Sequence, residues 1–206
     1  MRKLFLASIA GQTINAFEKE FFKLKNRKVA FIANAADLES RKPWIHFDKK
    51  SLLNRGAKIV NIDLRKISGK TLFDKLSEVD VIFVAGGNVF YLLELMKKSV
   101  LDKMIIKLLD TGIIYIGSSA GSCVAGPDIT PVQVMDEPEK AKSLKSYKAL
   151  GLTKILVLPH YNKEKYRSGI IEIKKKYGKK YNLQTLNDNQ ALVIKGNKSK
   201  IFTSKA

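Results

Sequence analysis

The chain has 206 residues, a hydrophobic content of 45% and one cysteine, Cys123. This length and composition fit a single globular domain over residues 1–206, and one cysteine excludes an intrachain disulfide. The formal net charge of +19 brings nucleic-acid binding into question. The basic residues are scattered and mostly lysine, however, without a zinc-ligand spacing or an aromatic-basic RNA-binding pattern. We therefore expect a solvated, lysine-rich surface and no nucleic-acid partner.

Apolar runs in the sequence are short. None approaches the roughly 18 residues that a membrane-spanning helix needs. The run after Arg2 and Lys3 imitates a signal peptide only faintly, because it is short and leads into a segment typical of folded structure. We expect a cytoplasmic protein with no membrane partner, and the single cysteine agrees with a reducing compartment.

The first half of the chain alternates apolar strands with helical stretches. The strands are continuously apolar, which is typical of a parallel sheet covered on both faces. We therefore predict a three-layer, doubly wound α/β fold with a mostly parallel sheet. Strands are predicted at 3–9, 29–33, 57–64 and 79–85, and helices at 13–24, 44–53, 71–76, 90–96 and 101–109.

The second half continues the alternation after one weaker stretch. Residues 126–150 are rich in proline and acidic residues, which predicts a loop or short hairpin. This segment follows the predicted helix at 120–125 directly, so it could form one side of a pocket. Strands are predicted at 113–116 and 154–158, helices at 120–125 and 163–177, and short terminal strands at 184–186, 191–194 and 201–203.

A possible nucleophile follows the strand at 113–116. Gly117-Ser118-Ser119-Ala120-Gly121 fits the G-x-S-x-G pattern, in which a sharp strand-to-helix turn exposes a serine over the end of the sheet. Of the serines in this turn, Ser119 is the one with glycines two residues before and two residues after it. The Ala120 N–H, at the start of the following helix, is aimed to stabilise an oxyanion.

A serine nucleophile needs a base, and the chain contains two histidines. His46 lies within a predicted amphipathic helix, where a packed or surface histidine is the simpler interpretation. His160 follows the strand at 154–158, at the sheet edge where sites gather in open α/β folds. His160 is therefore the candidate base.

The base needs an orienting acid from another loop at the same edge. Asp188 lies in a turn between two short strands after His160, and we rank it first. Asp128, Asp136 and Glu164 remain as competitors.

Gly86-Gly87-Asn88 ends the strand at 79–85 and begins a helix. It is either a plain tight turn or a turn whose Gly87 N–H is the second oxyanion donor. Nucleotide binding is a weaker interpretation, because no G-x-G-x-x-G pattern or Walker lysine follows.

Taken together, three motifs in this order and spacing resemble the peptidase E family: residues 85–90, residues 117–122 and Pro159-His160-Tyr161-Asn162. The resemblance spans nearly the whole chain, to about residue 194. It implies a fold like that of class I glutamine amidotransferases and a serine dipeptidase that cleaves small peptides after an N-terminal aspartate. It also implies Ser119 as nucleophile, His160 as base and an oxyanion hole of Gly87 and Ala120.

The resemblance carries further expectations about the site. The third triad member in the family is Glu or Asp on a late loop, which Asp188 matches. Neither a metal nor an organic cofactor is expected, and a homodimer is a possible assembly. We also expect Asn88 and Arg167 to bind substrate, although Arg167 does not match a known specificity residue and is the only arginine after Arg65.

Two other functions remain open from the residues alone. A related amide hydrolase of different specificity would share the elbow and differ in the 127–150 loop. A non-catalytic, basic binding module would explain the charge of +19 and leave the elbow unused.

Overall fold

The computed structural model describes residues 1–204. It has nine strands and seven α-helices in that range, and short 3-10 helices at Asn34–Ala36, Thr130–Val134 and Pro138–Lys140. The strands are β1 (Lys3–Ala7), β2 (Lys28–Ile32), β3 (Lys58–Ile62), β4 (Val81–Val84), β5 (Ile114–Ser118), β6 (Ile155–Leu158), β7 (Asn182–Thr185), β8 (Gln190–Lys195) and β9 (Lys198–Thr203). The helices are α1 (Ala10–Glu20), α2 (Pro43–Leu53), α3 (Gly69–Ser77), α4 (Val89–Lys98), α5 (Leu101–Asp110), α6 (Ala120–Cys123) and α7 (Glu164–Tyr177).

Seven strands form one central sheet in the order β3-β2-β4-β5-β1-β8-β9. The five strands from β3 to β1 run parallel, whereas β8 and β9 are antiparallel to their neighbours. The predicted mostly parallel α/β sheet is therefore confirmed. The strand at 154–158 departs from the expected arrangement, because β6 pairs with β7 in a separate two-stranded sheet.

Helices cover both faces of the central sheet. In β1, Phe5 and Ala7 belong to the hydrophobic core shared with α1 and α2, whereas Leu4 and Leu6 belong to the core shared with α3, α4, α5, α6 and α7. Because successive side chains of a strand point to opposite faces, a strand buried on both faces must be apolar throughout. This explains the continuous apolar runs and gives the three layers.

The sheet topology brings several loops together. The carboxyl ends of the adjacent parallel strands β4, β5 and β1 lie at one edge, and β8, which is antiparallel, begins at that edge. The residues after β4, β5 and β1 and before β8 therefore meet: Gly86, Ser119, Ser8 and Asp188. The end of β6 reaches the same place, because Tyr161 N–H donates to the Leu186 carbonyl between β7 and β8.

The β5–α6 turn depends on two glycines that allow backbones to touch. A Cβ on Gly117 would lie 2.5 Å from the Gly121 carbonyl oxygen, and a Cβ on Gly121 would lie 2.0 Å from the Val84 carbonyl oxygen. Both separations are shorter than a real Cβ contact, so α6 can pack this closely on β4 and β5 only without side chains at these positions.

The segment predicted as a loop or hairpin, 126–150, contains two of the 3-10 helices and one isolated antiparallel bridge between Asp128 and Lys148. Within residues 1–204, the helices are all too short or too polar to cross a membrane.

We expect Gly121→Ala to lower the free energy of unfolding by about 3 kcal/mol or more, because the methyl group must displace the backbone of a central strand. Gly112→Ala is a matched control, since an added Cβ there meets no atom within 4 Å, although φ is +106°. Gly112→Ala should lower the free energy of unfolding by about 1 kcal/mol through backbone strain alone. Urea unfolding followed by circular dichroism measures both, and equal losses would contradict the close α6 packing.

Candidate active site

Ser119 occupies the turn between β5 and α6 in a strained backbone conformation. Its φ of 51° and ψ of −111° lie outside the regions that side-chain-bearing residues favour. The surrounding backbone holds it there, since the Ser119 N–H donates to the Ala7 carbonyl at 3.1 Å. Ser122 Oγ donates to the same carbonyl at 2.7 Å. On the other side, a Cβ on Gly86 would lie 3.0 Å from Ser119 Cβ, so a larger residue there would crowd this serine.

Ser119, His160 and Asp188 form a hydrogen-bonded row. Ser119 Oγ lies 2.9 Å from His160 Nε2, and His160 Nδ1 lies 2.6 Å from Asp188 Oδ1. The ionised carboxylate can only accept a hydrogen bond, so it favours the tautomer with the proton on Nδ1. Nε2 is then free to accept a proton from the serine hydroxyl.

His160 is fixed in position from two sides. Its backbone has a positive φ of 65°, and its N–H donates to Ser8 Oγ at 2.8 Å. The imidazole packs against the Tyr166 ring, with 5.2 Å between ring centroids. A residue with this backbone strain keeps its conformation only when its surroundings determine it.

Asp188 is buried and makes contacts with both of its carboxylate oxygens. Besides His160, Ser8 Oγ lies 3.1 Å from Asp188 Oδ1, and Lys163 Nζ lies 3.4 Å from Oδ2. The Asp188 N–H donates to Asn162 Oδ1 at 2.9 Å, which ties its loop to the segment after His160.

The carboxyl groups of the three competing acids do not contact His160. Asp128 accepts a hydrogen bond from the Thr130 N–H, and Glu164 lies exposed in the first turn of α7. Asp136 accepts from the Val89 N–H at the start of α4 at 2.6 Å. Of the four candidate acids, Asp188 is the one whose carboxylate reaches His160.

Gly87 follows β4 and lines the same cleft as the elbow, with a φ of 143°, which favours glycine. A Cβ there would lie 2.2 Å from the Ala35 carbonyl oxygen, so neither the backbone conformation nor the space admits another residue. Within residues 1–204, neither the Gly87 nor the Ala120 N–H donates to a backbone carbonyl, and both residues line the cleft.

The Asn88 side chain is committed to the fold. Its Oδ1 caps α4 by accepting from the Tyr91 N–H at 2.8 Å. Its Nδ2 donates to Asp136 Oδ1 at 2.8 Å and to the Glu137 carbonyl at 3.0 Å. Asn88 lines the cleft, but these bonds hold the 126–150 loop against α4 rather than leaving the amide free for a substrate.

The cleft in front of Ser119 has a volume of about 870 Å³, which suits a small ligand or a short peptide. Trp44 of α2 forms part of its wall, with Nε1 donating to the Gly86 carbonyl at 3.2 Å. The predicted position of the 126–150 loop at the pocket is confirmed by lining residues from its two 3-10 helices and the segment between them: Val132, Met135, Asp136, Glu137 and Lys140.

Three lysines of residues 1–204 line the cleft, and two of them are already paired with carboxylates. Lys140 bridges Glu137 and, at 3.8 Å, Glu39, whereas Lys163 faces Asp188. Lys165 lies over the Tyr166 ring, 5.2 Å from its centroid. Arg167 is not among the lining residues of the described chain, and its guanidinium lies over the Tyr161 ring instead. The structure therefore does not bring Arg167 to the position expected of a substrate ligand.

Two residues at the site were missed by the sequence analysis, Ser8 and Asp48. Asp48 lies on α2, is 1% exposed, and accepts from the Gly11 N–H at 2.8 Å, with the Ser118 hydroxyl close enough to favour its charged form. Burial raises its pKa to about 6. Ser118 Oγ in turn accepts from the Ala10 N–H at 3.1 Å, so this cluster joins the start of α1 to the elbow strand.

Burial also raises the pKa of Asp136 and of the Cys123 thiol behind the elbow. A buried thiol of raised pKa is a poor nucleophile. Among residues 1–204, no group of three or more His, Cys, Asp or Glu side chains is arranged to hold a metal ion.

The chain is similar in sequence to known peptidases. The model of peptidase family S51 matches residues 5–202. An uncharacterized peptidase of Listeria monocytogenes is 32% identical over 196 residues, covering 95% of this chain and 96% of its own length. Peptidase E of Streptomyces coelicolor is 34% identical over 101 residues, covering 48% of this chain and 40% of that protein.

The chain also superposes on solved structures of other proteins. A crystal structure of a Listeria monocytogenes protein, described as a peptidase E candidate, superposes with a TM-score of 0.90 at 32% identity and 98% coverage of both chains. A peptidase from an acI-B1 actinobacterium has a TM-score of 0.74 at 17% identity, with 98% of this chain and 88% of that chain covered, and shows the shared fold.

The raised pKa of Asp48 predicts a pH-dependent stability. Between about pH 4 and pH 6 the folded chain holds a proton on Asp48 that the unfolded chain, with a pKa of 3.8, releases. Stability should therefore fall as pH rises through this window, by at most about 3 kcal/mol from this group. Asp48→Asn should remove the part of this pH-dependent loss of stability that comes from Asp48. The free energy of unfolding in urea at pH 4.5, 5.5 and 7 tests this, with Glu172→Gln, at an exposed position, as control. Parallel pH dependences in wild type and Asp48→Asn would contradict the assignment.

Proposed function

Because the chain belongs to peptidase family S51 and is a serine-type peptidase, we propose that Ser119, His160 and Asp188 are its catalytic triad and that it acts as a dipeptidase. The observation that carries the proposal is the row of hydrogen bonds from Ser119 Oγ through both His160 nitrogens to Asp188. Family membership sets aside the alternative of a non-catalytic basic module.

The proposed reaction begins at Ser119 Oγ. As the oxygen attacks the peptide carbonyl carbon, its proton moves to His160 Nε2, and Asp188 stabilises the imidazolium. His160 then donates this proton to the leaving amine while the C–N bond breaks and an acyl-enzyme forms. A water, deprotonated by His160, attacks the ester and releases the acid and free Ser119.

The oxyanion of each tetrahedral intermediate is proposed to bind the Gly87 and Ala120 N–H groups. Both residues line the cleft together with Ser119, and neither N–H donates to a backbone carbonyl in the described chain. Donors that are already oriented toward developing charge stabilise the transition state without a reorganisation cost.

A small or acidic N-terminal substrate residue is the proposed preference, with aspartate first. Lys140 is the cation that the 126–150 loop contributes to the cleft lining, and we propose that it faces the substrate carboxylate. Its pairing with Glu137 and Glu39 competes for that contact, and a lysine recognises a carboxylate as a point charge rather than through a fork. The preference should therefore be modest. The alternative function, an amide hydrolase of different specificity, would use the same triad but have a different 126–150 loop along the cleft.

We expect Ser119→Ala and His160→Ala each to lower the hydrolysis of a reactive amide by about 10⁴-fold or more, because triad members act as a unit. Labelling with a serine-reactive fluorophosphonate, followed by mass spectrometry, should modify Ser119 in the wild type and nothing in Ser119→Ala. Ser118→Ala is the control in the same turn. A comparable loss of activity in that folded variant would mean that the nucleophile is misassigned.

For specificity, we expect Asp-p-nitroanilide to be cleaved up to about tenfold faster than the Asn substrate at low salt, the range for one modest charge-assisted contact. Glu- and Ala-p-nitroanilides complete the comparison, and high salt should narrow the gap. Lys140→Met should reduce the advantage of Asp, whereas Lys142→Met, outside the cleft lining, should not. Equal turnover of the Asp and Asn substrates at low salt would remove the acidic preference and leave the serine mechanism standing.

A further inference from the structure

Ser8 is a buried serine at the meeting point of the strands that carry the site. It follows β1, which lies between β5, whose end leads to Ser119, and β8, which follows Asp188. The residue is 0% exposed, and its N–H donates to the Gln190 carbonyl at 3.1 Å. The residue after β1 is therefore held between the nucleophile loop and the acid loop.

The Ser8 hydroxyl contacts both His160 and Asp188. Its oxygen accepts the His160 N–H at 2.8 Å and lies 3.1 Å from Asp188 Oδ1 and 3.2 Å from His160 Nδ1. One hydroxyl group thus joins the backbone of the base, the ring of the base and the carboxylate of the acid.

The direction of these bonds follows from counting hydrogens. A serine hydroxyl has one proton to donate. The 2.6 Å contact between His160 Nδ1 and Asp188 Oδ1 requires a proton between them, and that proton comes from Nδ1 when the carboxylate is ionised. The Ser8 proton is then directed to Asp188 Oδ1, and the Ser8 lone pairs receive the His160 N–H.

We propose that Ser8 is a positioning residue that fixes the His160–Asp188 pair in the protonation state and orientation that the reaction needs. The inference rests on the proposed triad. By donating to Asp188, Ser8 favours the ionised carboxylate and keeps the proton on His160 Nδ1. By accepting the His160 N–H, it supports the positive φ of 65° that aims the ring at Ser119. It acts through the base and the acid rather than on the nucleophile.

Removing this hydroxyl should affect turnover rather than substrate binding. Ser8→Ala should lower kcat roughly 10- to 100-fold, the range for losing one charge-assisted hydrogen bond, with little change in KM. Ser8→Cys keeps the approximate shape but supplies only a weak donor, so its kcat should lie between those of the wild type and Ser8→Ala. A proton NMR resonance from His160 Nδ1–H, shifted downfield by the short contact to Asp188, should weaken or broaden in Ser8→Ala.

The matched control is Ser99→Ala. Ser99 is also a buried serine, 1% exposed, and its hydroxyl donates to the Met96 carbonyl at 3.2 Å, outside the cleft lining. The substitution removes the same chemical group away from Ser119, His160 and Asp188, so it should lower stability with a much smaller effect on kcat.

The rate of Ser119 labelling by a fluorophosphonate separates the possible outcomes without a known substrate. Slow labelling of Ser8→Ala beside near-normal labelling of Ser99→Ala supports the proposal. Wild-type kcat and labelling rate in Ser8→Ala, or an equal loss in a folded Ser99→Ala, would overturn it while the triad stands. If Ser8→Ala does not fold, a Ser8→Cys variant with full activity overturns it instead. No labelling of Ser119 in the wild type would overturn the triad itself.

Discussion

The contact between α6 and the end of β4 is the constraint on which the site depends. Gly121 packs against the Val84 carbonyl, and the Tyr115 hydroxyl donates to the Gly121 carbonyl at 2.7 Å. These two contacts fix the helix that begins directly after Ser119, so the chain must turn within one residue. The strained φ and ψ of Ser119 are the consequence, and the burial of the surrounding core compensates for their free-energy cost.

The same edge of the sheet holds His160 and Asp188, the proposed base and acid, through Ser8. His160 comes from β6, which shares no strand pairing with the central sheet in the described chain. Its position relative to Ser119 therefore depends on the burial of β6 in the core beside α6 and on contacts made after β6 ends. These contacts are the hydrogen bond from its N–H to Ser8 and the packing of its ring on Tyr166. A histidine that follows a strand of a separate two-stranded sheet needs such local contacts, because the register of the main sheet does not fix its position.

Much of this arrangement was predictable, because the strand ends are marked in the sequence. Continuous apolar runs indicated a sheet covered on both faces, and the order of Ser119, His160 and Asp188 relative to those runs indicated a shared edge. The pairing of β6 with β7 was not predictable from local pattern, since strand partners are chosen by distant contacts. Ser8 was hidden because the predicted strand at 3–9 includes it, whereas β1 ends at Ala7. The role of Asn88 as the N-cap of α4, rather than the expected substrate ligand, could have been predicted, because asparagine is among the preferred helix N-caps.

The charge of the chain and the charge of the cleft differ in a way that bears on substrate choice. The whole chain carries +19. Among the described residues, however, more carboxylates than lysines line the cleft, and Lys140 and Lys163 both face acidic partners. The excess positive charge therefore lies on the outer surface, where a positive potential attracts anionic molecules and speeds their encounter, an effect that salt screens. Discrimination between bound substrates depends instead on the few short-range contacts inside the cleft. A lysine that is already paired with a carboxylate attracts a substrate carboxylate less strongly than a free lysine does. A basic surface can thus favour acidic substrates in the rate of association without a strongly selective pocket.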